Sequence, residues 1–152
     1  ADLLVLLPKE KQILVSSVQP SGTEPVFRIG KTQEEHADNL LRAIQQAEKE
    51  EGLTAVLCAG VRSLEKTAAM LSQDCQIPVI RSGDSLPEKG VFLITLAHAK
   101  GLEFDGVILP DADADIYPDT ALNRHRLYTA MSRATRRLTV LAKSGLTPLL
   151  QK

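Results

Sequence analysis

The chain has 152 residues, enough for one compact domain with its own core and too few for two. Hydrophobic residues make up 43% and charged residues 24%, with 18 Lys+Arg against 19 Asp+Glu; this excludes disorder, low-complexity classes and a whole-surface polyanion binder, but leaves room for a local basic patch. Aromatics are 3% with no Trp, which argues against a single-strand-binding platform of stacked rings.

The first residue is Ala rather than Met, which predicts a processed chain or a piece of a longer one, with residues 1–24 as an irregular or truncated lead-in. Leu3 to Leu7 is apolar but follows Asp2 and stops at Pro8, so it is no signal peptide; no apolar run approaches transmembrane length. Lys11 to Val18 reads as a strand, Pro20-Ser21-Gly22 as a turn, and Pro25 to Ile29 as a second strand. Gly30-Lys31-Thr32 has the tail of a phosphate-binding P-loop. The first glycine of that motif would fall on Pro25, so a strand-to-helix turn is the better reading. Thr32 and Glu35 form a capping box, and Ala37, Leu40, Leu41, Ile44 and Ala47 continue at helical spacing up to Gly52.

Leu53 to Cys58 is a buried strand; Ser63 is read as the cap of a helix carrying Leu64, Ala68 and Leu71. Pro78-Val79-Ile80 resumes a strand, Arg81 to Gly90 is a loop, and Val91 to Leu96 is apolar throughout, as in a strand buried on both faces. Gly106 to Leu109 is another strand, a helix spans Thr120 to Ser132, and Leu138 to Leu141 closes the series. Strands alternating with helices predict a three-layer α/β domain with a mainly parallel sheet, lacking a P-loop of its own.

Several chemical signals fail on inspection. Cys58 and Cys75 are too far apart for a C-x-x-C motif, and two cysteines make no disulfide framework, which predicts a reducing, cytoplasmic setting. Asp111, Asp113 and Asp115 imitate a calcium loop, but Ile116 and Leu122 stand where Gly and Glu are needed; the run reads as a solvated acidic loop. Pro110 interrupts what could pass for a Walker B strand. His36 and His125 lack metal-ligand partners at the required spacing and are expected on the surface. No metal site is predicted. Charge is nonetheless sorted: Glu103 to Asp119 carries six acids and no Lys or Arg, while Arg124 to Lys143 carries six Lys/Arg and no acid. Each block is expected to face the other or a partner.

Two segments are specific. Thr95-Leu96-Ala97-His98-Ala99-Lys100-Gly101-Leu102-Glu103-Phe104-Asp105 joins two strands through a polar turn; Leu127-Tyr128-Thr129-Ala130-Met131-Ser132-Arg133-Ala134 ends a helix on an arginine before the next strand. They resemble motifs V and VI of superfamily 1 DNA helicases of the UvrD/Rep type, T-x-H-x-x-K-G-L-E-F and Y-V-x-x-T-R-A, and the likeness extends over Leu53 to Val140.

The resemblance implies the second, C-terminal RecA-like lobe of an ATP-dependent helicase or translocase. Its partners would be the N-terminal RecA-like lobe of the same protein and single-stranded or duplex DNA, with no membrane involved. ATP and Mg2+ would be bound mainly by the missing lobe. Arg133 is then the catalytic arginine finger. Glu103, Gly101 and Lys100 fall on the ATP side, and Thr95 and His98 on the DNA-binding side. The family's histidine position is Ala97 here; His98 stands one residue later, where extended backbone would turn it the other way. Only ten residues separate Ile80 from Val91, where UvrD and Rep carry a large insertion. This short form resembles the HelD and RecD-like branches, and K-G-L-E-F-D leans toward HelD, whose motor acts on RNA polymerase, which gives an interaction module as an alternative. A stand-alone α/β regulatory domain is the other alternative. The asparagine-tyrosine-arginine element that opens this lobe in the family is not found. Without Walker A and B elements the chain alone is expected to be inactive.

Overall fold

The computed structural model describes residues 24–71 and 75–150. Five strands form one all-parallel sheet: β1 (Val26–Gly30), β2 (Leu53–Cys58), β3 (Gly90–Thr95), β4 (Phe104–Leu109) and β5 (Ala134–Lys143), in the order β1-β5-β4-β2-β3. The helices are α1 (Gln33–Glu48), α2 (Val61–Leu71) and α3 (Ala121–Met131), and a short 3-10 turn spans Pro148–Leu150. The expected strand at Lys11 to Val18 and the turn after it lie outside the described residues.

The three layers follow from strand alternation. On one face Val56, Leu93, Ile108 and Leu141 meet Leu40 and Ile44 of α1 and Leu64 and Leu71 of α2. On the other, Leu57, Phe92, Ile94, Val107 and Leu109 meet Leu127 and Met131 of α3, with Tyr117, Leu149 and Leu150 closing the cover. Because both faces are covered, β2 and β3 are apolar almost end to end. Phe92 and Phe104 pack edge to face with ring centroids 5.5 Å apart. The fold class read from the sequence is the one observed.

Local chemistry sets the element ends. Thr32 Oγ1 accepts from the Glu35 amide (3.1 Å), and the Glu35 carboxylate accepts from the Lys31 amide (2.9 Å), so the capping box forms with its return bond one residue early. Gly30 is demanded by close approach: a Cβ there would lie 2.6 Å from the His36 backbone nitrogen. Thr120 caps α3 through the Asn123 amide (3.1 Å).

Besides shifts of one or two residues at other strand ends, three differences from expectation bear on the site. Pro78 to Ile80 makes only a bridge, Val79 with Leu93, on the outer edge of β3, where Pro78 has no N–H to extend a ladder. Ser63 is the third residue of α2 rather than its cap, and its hydroxyl serves Asp111 instead. Strand β5 begins at Ala134, four residues early; its polar start pairs with β4 across a register shift between Phe104 and Gly106.

Candidate functional site

In a parallel sheet every strand starts at one edge and ends at the other, and the site residues divide between the two. Glu103 precedes β4 and Arg133 precedes β5, its hydrogen-bonded neighbour. Phe104 pairs with Ala134, and the Phe104 amide donates to the Arg133 carbonyl at 2.8 Å. The two residues therefore enter the sheet side by side. Arg133 sits just past the C-cap Ser132 of α3, where its Nε donates to the Thr129 carbonyl (3.2 Å) and its Nη2 to Ser132 Oγ (3.3 Å). A cation at a helix C-terminus complements the helix dipole. Among the described residues no carboxylate lies within ion-pairing distance of Arg133. Arg133 is only half-buried.

Lys100, Gly101 and Glu103 are exposed on the connection from β3 to β4. Gly101 has φ +83° with open space where a side chain would be, so glycine here serves backbone conformation. The connection begins at Thr95, the last residue of β3, whose Oγ1 accepts from the His98 amide (3.2 Å) while its carbonyl accepts from Ala99 (3.0 Å). This is a helical turn, so the extended geometry expected for Ala97 and His98 does not hold. Successive side chains rotate by roughly 100° instead of alternating.

Ala97 lines a groove of about 360 Å³ between this turn and α3; His98 is not among its lining residues. Lys100, His125, Arg126 and Thr129 form the groove with Ala59 and Leu96, so Lys100 is brought together with two basic side chains of α3. His125 is exposed as expected, but its place in a shared basic groove was missed, and so was that of Arg126. The signal available was their membership of the basic block. Thr95 and His98 lie at the strand-end edge, away from the Glu103–Arg133 pair.

At that strand-end edge the turn between β2 and α2 is clamped from two sides. The Ala59 amide donates to Asp111 Oδ2 (2.8 Å), and the Ala59 carbonyl accepts from Arg126 Nη2 (2.8 Å). Ser63 Oγ also donates to Asp111, and Arg126 is further held by Asn123 Oδ1 (2.8 Å) and stacked over the Tyr117 ring, 5.3 Å from its centroid. Asp111 is buried and its other oxygen has no partner among the described residues; burial pushes its carboxyl up to about 6, against the hydrogen bonds from Ser63 and Ala59. Burial likewise pushes the Cys58 thiol and the Tyr117 phenol up.

The acidic run is therefore not the solvated loop expected from the sequence. Asp111 and Ala112 are buried, and Asp113 Oδ1 accepts from the Lys143 amide (2.8 Å). The two charge blocks meet at Arg136 and Asp105, 3.9 Å apart on an exposed rim. His36 also departs from expectation. It is buried at the start of α1, its Nδ1 unpartnered, and burial pulls its pKa down while the nearby Asp113 raises it.

Residues 90–141 match the family of UvrD-like helicase C-terminal domains. The C-terminal domain of a possible DNA helicase from Lactobacillus plantarum WCFS1 has a similar structure: 26% identity, TM-score 0.78, covering 95% of this chain and 90% of that one. The helicase nsp10 of PRRSV shares the fold at 17% identity and TM-score 0.52, over 86% of this chain and 27% of its own length. No curated protein matches the chain. The five-stranded α/β fold is thus that of a helicase C-terminal RecA-like domain.

Proposed function

We propose that this chain is the second RecA-like lobe of an ATP-driven superfamily 1 DNA helicase or translocase, a cytoplasmic motor in which Arg133 is the arginine finger. The observation that supports this is the pair at the strand-start edge: Glu103 and Arg133 side by side on neighbouring strands, with the guanidinium held by Thr129 and Ser132 and neutralised by no described carboxylate. A planar, permanently charged donor fixed in this way suits a phosphate oxygen, and Glu103 beside it suits a ribose hydroxyl. The donor set fits a nucleotide approached from one side.

In this reading Arg133 offsets charge on the transferring phosphoryl group and Glu103 orients the nucleotide; Lys100 and Gly101, given to the ATP side by the resemblance, lie on the connection that leads to Glu103, with Lys100 in the groove it shares with His125 and Arg126. ATP, when bound, supplies the phosphoryl-transfer chemistry; its P-loop, Mg2+ and water-positioning carboxylates belong to the first lobe. Thr95 and His98, at the opposite edge, lie on the side that tracks single-stranded or duplex DNA. The short connection from Ile80 to Gly90 favours a HelD-like motor, with RNA polymerase as a second partner. That connection is closed by Arg81, which donates to both Glu65 oxygens (2.6 and 3.1 Å) and through its amide to Asp84 (2.8 Å), leaving no inserted domain.

In the intact protein, Arg133→Ala should lower ATP turnover by on the order of 10³-fold or more while leaving the melting temperature unchanged. An unchanged kcat removes the finger role. The chain by itself should turn over ATP at background, and robust activity from a clean preparation would overturn the assignment.

A further inference from the structure

We propose a second anion site, on the face of the sheet covered by α1, that takes a small phosphorylated molecule of mononucleotide size. Beneath the C-terminal half of α1 lies a groove of about 430 Å³, within the usual range for small-molecule sites. It is open because α1 turns the small Ala43 and Ala47 toward the sheet there, leaving the starts of β1, β5, β4 and β2 incompletely covered. Its floor is apolar, ending on Ile108 and Leu141, which are almost fully buried.

Three arginines from three elements line this groove: Arg28 of β1, Arg42 of α1 and Arg137 of β5. Glu50 is the acid among the lining residues, and among the described residues no carboxylate lies within ion-pairing distance of any of the three guanidiniums. Arg137 is pre-positioned, its Nη2 against the Glu51 carbonyl (3.3 Å) and Thr54 Oγ1 (3.4 Å). That placement depends on Gly106, where a Cβ would lie 2.7 Å from Thr54 Oγ1 and 3.3 Å from Arg137 Nη2. Planar guanidiniums around an apolar floor match a phosphate joined to a flat or apolar body, and match free phosphate less well.

The groove does not belong to the Glu103–Arg133 site. Arg137 and Leu141 alternate onto the α1 face, whereas Arg133 ends α3 on the opposite face. The inference therefore stands or falls apart from the motor reading. The test is calorimetric titration of this chain with AMP and with inorganic phosphate in magnesium-free buffer. AMP should bind saturably, and at least about tenfold more tightly than inorganic phosphate because only AMP uses the apolar floor. Arg42→Gln with Arg137→Gln should weaken AMP by at least about tenfold. Gly106→Ala should weaken it as well. Should that variant lose its circular dichroism spectrum, Arg42→Gln alone, at an exposed position, decides. No saturation by AMP up to about 5 mM, affinity no better than that of inorganic phosphate, or unchanged affinity in the Arg42→Gln, Arg137→Gln variant would each overturn the proposal.

Discussion

One Asp111 oxygen receives both Ser63 and the Ala59 amide, while the other has no partner among the described residues. Its carboxyl is raised from 3.8 to about 6, so between these values the folded chain holds a proton that the unfolded chain releases. Stability contributed by this group is therefore present at low pH and lost as pH rises through that window, by on the order of 3 kcal/mol. Asp111→Asn retains an acceptor for Ala59 and Ser63 and removes the buried charge. Urea unfolding from pH 4 to 7.5 should show the variant gaining on the parent by about that amount. Parallel curves would refute the assignment. His36 pulls in the other sense: its lowered pKa makes the folded state favour neutral imidazole, so its contribution is lost as pH falls below 6.5. The difference between parent and variant isolates Asp111 from it.

Each of α1 and α3 starts on a threonine whose hydroxyl accepts the amide three residues on. Thr32→Ala should cost about 1 kcal/mol. Thr120→Ala should cost more than that. Thr120 Oγ1 also accepts from Asn123 Nδ2 (2.9 Å), and Asn123 in turn holds Arg126. Equal losses in chemical denaturation would show that the Asn123–Arg126 link contributes nothing. These caps were legible because their signal is local, as were the uniformly apolar strands. The two motifs put Glu103 and Arg133 close to strand boundaries, but that their strands are neighbours with starts side by side was not legible, because it comes from sheet order. The burial of His36 and Asp111 was not legible: it comes from contacts made by strand neighbours far along the chain, and a titratable residue in a polar stretch reads as exposed. The arginine groove was equally hidden, because Arg28, Arg42 and Arg137 come from three separate elements and carry no shared spacing.

Two hydrophobic layers share a single sheet, with α1 and α2 on one side and α3 on the other. A methylene removed from either layer loosens the same five strands, so the domain should unfold in one step. Ile44→Val and Ile94→Val, on opposite faces, should each cost about 1 kcal/mol and add to within about 0.5 kcal/mol in the double variant. Two resolved transitions, or a large departure from additivity, would mean that the layers unfold separately. No described helix is long and apolar enough to cross a membrane.

Helix α3 touches both rims of the sheet at once. From its middle Arg126 grips the Ala59 carbonyl, and just beyond its last turn Arg133 stands beside Glu103. Eleven helical residues make a rod about 16 Å long, too short to bend appreciably. Arg126 at mid-helix and Arg133 just past the end are therefore carried on one short, stiff segment anchored by the buried line of Leu127, Ala130 and Met131. A rigid tilt of that segment would move both arginines, so a change at one rim is expected to register at the other.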